Sequence, residues 1–384
     1  MAMRLALFTD TYSPEINGVA KTLERWIGYL RGQGIECMVF APARPKDKHV
    51  GAENAERLMS IPFFLYPELR MALPRSPEAE RKLLAFKPTV IHVATPFGTG
   101  LAGRSLALKH GIPLVASHHT HFARYLPYYN IQWLGKLLYR YLHWFHLPCL
   151  KIYVPSRSVL EDCRRDGWGQ LEVWSRGIDG STFHPNVDRE ALLASAGIPS
   201  RFIALYAGRI APEKQPEVAV EAVTKFVADT GADAELVIAG EGPGLSELKA
   251  LAAKRKVRHR FLGSLTQREL QQWMAASDAL LFPSATETFG NVMLEAMACG
   301  LPVIGADGGA VPDTIRDGHN GMLCAPGDSD AFAKKLALLH ADPSLRAKLI
   351  AIGLHEASTR TWAGVFDQLR HSISAVTEPR QIAK

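Results

Sequence analysis

The stretch "ALLFPSATETFGNVMLEAMACGLPVIG", Ala279 to Gly305, decides how this chain folds. It reads as strand, loop, helix, strand. Four apolar residues, Ala279–Phe282, stop at Pro283, which cannot donate to a ladder. A loop runs on to about Asn291. From there apolar residues follow a helical pattern to Cys299, and Gly300 stands where a left-handed residue closes a helix. Pro302–Gly305 is the next strand. Two apolar strands joined by a helical crossover lie parallel, with both faces of their sheet covered.

The same alternation extends outward in both directions. Strands are expected at Arg4–Phe8, Glu36–Ala41, Thr89–Val93, Leu114–Ser117, Lys151–Pro155 and near Leu171–Ser175. A second series falls at Phe202–Ala207, Glu235–Ala239, His259–Leu262, Ala279–Phe282, Pro302–Gly305 and Gly321–Leu323. Helical patterns separate them, so the reading is α/β: two doubly wound, Rossmann-like domains. The break falls in "RGIDGSTFHPN", Arg176 to Asn186, which is rich in turn formers. Domains are placed at 1–183 and 184–362, with a closing helix at 363–384 packed back on the first.

The 384 residues are 47% hydrophobic and 21% charged, an ordinary globular composition. A formal charge of +6 favours an anionic ligand or surface. No RNP-like run or dense basic stripe accompanies it, so no nucleic-acid partner is expected. The five cysteines are scattered without C-x-x-C spacing, which reads as reduced thiols in a cytoplasmic protein. The N-terminus lacks a signal-peptide pattern, and no apolar run approaches the ~20 residues of a membrane span.

Open parallel sheets bind ligands beyond the carboxyl ends of their strands, so chemistry belongs in strand-to-helix loops. "AGRIAPEKQP", Ala207 to Pro216, sets Arg209 and Lys214 five apart ahead of a helix, a good diphosphate site. Each alone would read as a solvated surface cation. "AGEGPG", Ala239 to Gly244, lacks G-x-G-x-x-G spacing and reads as a tight turn with Pro243 opening a helix. In the opening stretch Glu287 lies in the loop and Glu295 on the helix, seven residues between them. Asn291 and Glu295 share a helix face, and the amides near Gly290–Val292 lack intrahelical acceptors. A carboxylate can accept from two vicinal hydroxyls, and amides can donate to their oxygens. A nucleotide sugar carries two polyols separated by a diphosphate, which suits two glutamates with cations nearby. The plain alternative is a helix-dipole acid and an incidental loop acid. It accounts for one glutamate and leaves the arrangement unexplained.

In the first half, "TDTYSPEINGVAKTL" carries Asp10 and opens a helix at Gly18, where a backbone amide can approach a phosphate. "ASHHTHFARY" places His118, His119, His121 and Tyr125 at another strand end. No Cys, Asp or Glu stands by to complete a zinc site, so a neutral polar site is preferred to a metal. "GDSDAF" contains a D-x-D, read as a helix cap.

These motifs resemble those of retaining glycosyltransferases of family 4, which have the GT-B fold. The carriers are Gly18, His119 in "SHHT", Arg209 and Lys214 in "GRIAPEK", and Glu287 and Glu295 in "ETFGNVMLEAMACGLPVI". His118 stands where a Tyr is usual, and Gln215 where many relatives have Gly. The resemblance is greatest to bacterial GDP-mannose-dependent mannosyltransferases and sulfoquinovosyl- and glycolipid transferases. It implies domains facing across a deep cleft. Arg209 and Lys214 would neutralise the diphosphate. Glu287, with Phe289, Gly290, Asn291 and Val292, would hold the hexose, Glu295 the ribose, and His119 would sit near the hexose. Asp10, His118, His121 and Tyr125 would face the acceptor. No metal or other cofactor is expected.

The expected function is hexose transfer from a nucleotide sugar, with GDP-mannose the best guess, to a lipid or glycolipid. A UDP-sugar transferase with a soluble or polysaccharide acceptor and a sugar-nucleotide epimerase of the same fold are the alternatives. The lipid expectation comes from Tyr125–Lys151. Trp133, Leu134, Leu137, Leu138, Tyr141, Leu142 and Phe145 recur there at helical spacing, with Lys136, Arg140 and His143 read as lying opposite. Arg157, Arg164 and Arg165 follow. The expected place is the cytoplasm, with peripheral contact to the anionic inner face of its membrane.

Overall fold

The structure is a computed structural model that describes residues 3–15, 17–43, 55–63, 66–72, 76–119, 133, 135–199 and 201–377. The chain divides into two compact units. The first ends at Ser175 and takes in the chain from Ala363 onward, while the second is Arg176–Trp362.

The first unit contains β1 (Arg4–Phe8), α1 (Gly18–Gly32), β2 (Glu36–Pro42), β3 (Glu56–Leu58), β4 (Ser60–Phe63), β5 (Tyr66–Ala72) and α2 (Pro77–Phe86). It continues with β6 (Val90–Val93), α3 (Gly98–His110), β7 (Leu114–Ser117), α4 (Gly135–His146), β8 (Lys151–Val154), α5 (Arg157–Arg165) and β9 (Leu171–Val173). Seven of these strands form a parallel sheet in the order β3-β2-β1-β6-β7-β8-β9. β4 and β5 form a separate antiparallel pair. That pair and β3 are absent from the sequence reading, because β3 and β4 are only three and four residues long and prolines, Pro62 and Pro67, interrupt β4 and β5, so little periodicity shows.

The second unit contains α6 (Arg189–Ser195), β10 (Phe202–Ala207), α7 (Pro216–Thr230), β11 (Ala234–Ala239), α8 (Leu245–Arg255), β12 (His259–Gly263), α9 (Gln267–Ala276) and β13 (Ala279–Phe282). Then come α10 (Asn291–Ala298), β14 (Val303–Ala306), α11 (Val311–Thr314), β15 (Met322–Cys324), α12 (Ser329–Ala341) and α13 (Pro343–Thr359), after which α14 (Trp362–Thr377) leaves this unit. Its six-stranded parallel sheet runs β12-β11-β10-β13-β14-β15. β10 shows why the strands are apolar throughout. Phe202, Ala204 and Tyr206 enter one core, while Ile203, Leu205 and Ala207 enter the other. Successive side chains point to opposite faces, and helices cover both.

From Ala363 onward α14 belongs to the first unit. Its buried Phe366 lies 5.4 Å from Trp26 and 5.5 Å from Tyr29 by ring centroids. Tyr29 donates to Asp367 Oδ1 at 2.9 Å and Tyr153 to Ser372 at 3.0 Å. Burying one such aromatic ring stabilises by roughly 1.5–3 kcal/mol.

Both sheets have a switch point where the strand order reverses. In the second it lies between β10 and β13, so the loops after those strands are neighbours.

Candidate functional site

The loop after β10 carries Arg209 and Lys214, and the loop after β13 carries Glu287. They belong to separate stretches of sequence, and the switch point brings them together. Lys214 Nζ lies 2.5 Å from Glu287 Oε1. The two loops are also tied through the main chain, because the carbonyl of Glu213 accepts from Thr286 Oγ1 at 3.1 Å and from Ser284 Oγ at 3.4 Å. The Glu213 carboxylate is buried and faces the exposed Arg209 guanidinium at 3.8 Å. One edge of the guanidinium is thereby oriented, while the rest stays open to an anion.

Tyr206 fixes the Arg209 main chain, donating from its hydroxyl to the Arg209 carbonyl at 2.9 Å. Burial above all, then the charges of Glu287, Glu217 and Glu213, raise its phenol above the ordinary value. It therefore stays protonated as a donor.

Glu287 is held from below by the loop after β14. Ala310 N donates to Glu287 O at 2.9 Å. Gly309 has φ +59, and a Cβ there would lie 2.7 Å from the carbonyl oxygens of Ala285 and Glu287. This position needs glycine twice over, for its left-handed backbone and for the close approach. "DGG", Asp307 to Gly309, passed unremarked in the sequence, because its role exists only once β14 lies beside β13.

Gly290 caps α10 at φ +78, with Asn291 and Val292 in the first turn. Their amides head the helix, where the main chain has no acceptor of its own. Phe289 is buried in the core, and Glu295 is half-buried one turn on from Asn291. Gln215, between Lys214 and α7, has φ +48, which explains why glycine suits that position. Its Oε1 is buried without a hydrogen-bond partner among the described residues.

Two sequence readings are refined nearby. "AGEGPG" is a turn, but α8 opens at Leu245 with Gly244 as its cap, so Pro243 precedes the helix. That turn clasps the Arg209 loop through Ile210 N to Glu241 O, 2.8 Å, and Gly244 N to Ile210 O, 3.0 Å. The D-x-D is a cap as read. Asp328 Oδ1 accepts from Ala331 N at 2.9 Å, and Asp330 pairs with Lys225 at 2.5 Å.

In the first unit, Gly18 is the exposed first residue of α1. Asn17 caps that helix by accepting from Ala20 N at 2.8 Å. Asp10 is buried, and its carboxylate is taken up internally by Thr95 Oγ1 at 2.6 Å and Thr99 N at 2.7 Å. Burial raises its pKa against those hydrogen bonds. The aspartate thus ties β1 to the head of α3. His118 is also buried, its ring edge-on to Trp168 at 5.1 Å and to His146 at 5.5 Å. His119 follows it at the end of β7, 5.1 Å from the Trp174 ring. The sequence reading missed buried His92, whose Nε2 lies 2.7 Å from Ser117 Oγ. His121 and Tyr125 lie outside the described residues. Among the described residues, no group of three or more His, Cys, Asp or Glu is arranged to hold a metal ion.

A doubly wound unit with cations and a carboxylate at its switch point, joined to a second such unit, is the architecture of the GT-B glycosyltransferases. The family model for Glycosyltransferase Family 4 matches residues 16–181, and that for Glycosyl transferases group 1 matches residues 188–355. The chain belongs to this glycosyltransferase family and is a transferase. It is 29% identical to the sulfoquinovosyl transferase of Arabidopsis thaliana over 96% of this chain and 72% of that protein. It is 28% identical to a GDP-mannose-dependent alpha-mannosyltransferase of Corynebacterium glutamicum over 96% of this chain and 87% of that one. In fold it is similar to Anabaena HepE in complex with UDP, at TM-score 0.79 and 20% identity, covering 97% of this chain and 100% of that chain.

Proposed function

We propose that this glycosyltransferase moves a hexose from a nucleotide sugar to the hydroxyl of a lipid or glycolipid, with GDP-mannose as donor and with retention at the anomeric carbon. The observation that carries the proposal is the 2.5 Å approach of Lys214 to Glu287, with Arg209 on the same loop. A cation that meets a diphosphate and a carboxylate that meets sugar hydroxyls must be neighbours, because the phosphate is bonded to the sugar. The likeness to a GDP-mannose-dependent mannosyltransferase supports the choice of donor.

Arg209 and Lys214 take the diphosphate oxygens, and Glu287 with the amides of Asn291 and Val292 takes the hexose. Glu295 takes the ribose. The C1–O bond to phosphate breaks, and C1 bonds to the acceptor oxygen on the same face. The acceptor's proton passes to the departing diphosphate. No protein nucleophile is required, since charge stabilisation and positioning lower the barrier. The two cations supply charge that a divalent ion would otherwise bring, so the reaction is proposed to be metal-independent. His119 is the first unit's candidate for this chemistry.

Purified protein incubated with labelled GDP-mannose or UDP-glucose and a membrane lipid extract tests the reading. Label should enter the organic phase only with the protein and the true donor. Isomerised donor without transfer would support an epimerase and overturn the proposal.

A further inference from the structure

β6 and β7 are neighbours in the first sheet, and every residue of both is buried. All but two of those residues are apolar. The two exceptions, His92 and Ser117, meet across the strands, with Nε2 and Oγ 2.7 Å apart. His92 is 0% exposed and Ser117 2%.

This is a poor way to hold a core together. Burial pushes the imidazole down to about 3, so the ring is neutral and carries one N–H. Serine carries one O–H. A single hydrogen bond joins the two, and His92 Nδ1 is buried with no partner among the described residues. In either tautomer, one of the two hydrogens therefore finds no acceptor among the described residues. A buried polar hydrogen left unpaired destabilises a fold, so two apolar side chains would serve the sheet at least as well.

What the pair does hold is the end of β7. Ser117 is the last residue of that strand, and His118 and His119 follow it directly. His118 N still donates to Tyr153 O at 2.8 Å, so the sheet carries the main chain up to His119. The His92 ring also lies 6.0 Å from Trp174, and Trp174 is edge-on to His119 at 5.1 Å. Trp174 is itself anchored, since its N donates to Val154 O at 2.7 Å and its ring lies 6.2 Å from Trp26. His92 thus reaches His119 by two routes, along the chain through Ser117 and across space through Trp174.

We propose that His92 is a positioning residue, which sets the His119 side chain for hexose transfer through Ser117 and the Trp174 ring, at a cost to the stability of the first unit. The proposal rests on the reading of His119 as the first unit's group for this chemistry. A residue that served packing alone would lower stability and turnover together when replaced. A positioning residue held at a cost separates the two.

The experiment compares three variants with wild type. His92→Leu/Ser117→Ala removes both polar partners, His92→Gln keeps a donor near the Nε2 position, and His119→Ala removes the positioned ring. Turnover is followed as label passing from the nucleotide sugar to the membrane lipid extract, and stability by urea unfolding. The double variant should unfold at the same or higher urea than wild type. Its kcat should nevertheless fall about tenfold, with the donor KM within about twofold, as expected for partial misplacement of a group that acts in the transition state. His92→Gln should keep kcat within about threefold of wild type, because its amide can still meet Ser117. A double variant with wild-type kcat would overturn the proposal. One that fails to fold, or that loses stability and kcat in parallel, would overturn it in favour of packing alone. A His92→Gln enzyme as slow as the double variant would also count against it. Wild-type turnover in His119→Ala would refute the reading of His119 and the proposal with it. A slow His119→Ala beside an undiminished double variant would leave that reading standing and refute the proposal alone.

Discussion

Gly309→Ala tests whether the loop after β14 sets the position of Glu287. An added Cβ would lie 2.7 Å from two carbonyl oxygens, of Ala285 and Glu287, and 2.9 Å from Glu287 N. All three are main-chain atoms and cannot swing away. Restoring an ordinary 3.4 Å contact moves the Glu287 segment or the glycine loop by about 0.7 Å. The 2.5 Å contact to Lys214 would then lengthen by a comparable amount. Misplacing a substrate-positioning group on that scale can lower kcat/KM about 10²-fold. The left-handed backbone adds roughly 1–2 kcal/mol of destabilisation. Gly318→Ala is the control. It shares the left-handed φ, at +68, but has nothing within 4 Å of an added Cβ. Both variants should lose some thermal stability, and only Gly309→Ala should lose about two decades of kcat/KM. A folded Gly309→Ala enzyme with kcat/KM within about threefold of wild type would refute the reasoning.

Gln215→Gly should stabilise the second unit by about 1 kcal/mol and raise Tm by about 2–4 °C, because it removes a left-handed non-glycine and a buried unpaired amide oxygen; calorimetry decides it, and a lower Tm would count against the strain. Burial pushes His92 down to about 3 and His146 down to about 4, so the fold favours their neutral forms. Above the unfolded value near 6.5 they contribute nothing to pH dependence, and as pH falls below it stability is lost by roughly 1.4 kcal/mol per unit for each histidine, down to those folded values. Denaturant titrations from pH 7 to pH 5 should show this loss, and His92→Gln should remove about half of it. Activity should survive EDTA, and loss restored by Mg²⁺ or Mn²⁺ would refute metal independence. Glu295→Ala should weaken nucleotide binding by about 1.5–3 kcal/mol in isothermal titration, as expected for a charged hydrogen-bonded pair, and unchanged affinity would remove it from the ribose site.

The parts of this account legible in the sequence are those with local causes. Apolar runs punctuated by Pro and Gly place every strand of the second sheet to within a residue or so of its ends. Arg209, Lys214 and Glu287 stood out because charged side chains at strand ends ask for a reason. Their supports did not stand out. Tyr206 looks like any core aromatic on β10, Glu213 like a surface acid, and Gly308–Gly309 like any turn. Each acquires its task only from a neighbouring strand, which no local pattern reveals. The faces of α4 were misjudged for a related reason. Helical periodicity gives a stripe of apolar residues but not the side of it that the sheet covers, and here Leu142 and Phe145 went inward while Leu137 and Trp144 stayed out. Asp10 and His118 were read as acceptor-side polar groups, and the structure places both among internal partners.

The most direct test of the central claim, that Lys214 and Glu287 form a donor site for retaining transfer, is the product formed from an α-linked nucleotide sugar and lipid acceptor. Wild type should give an α-linked glycolipid, read from the anomeric proton by NMR. Glu287→Gln should form it at least about 10²-fold more slowly, as expected when a substrate-positioning contact is lost. A β-linked product would contradict the proposed retention, and undiminished turnover in Glu287→Gln would contradict the site.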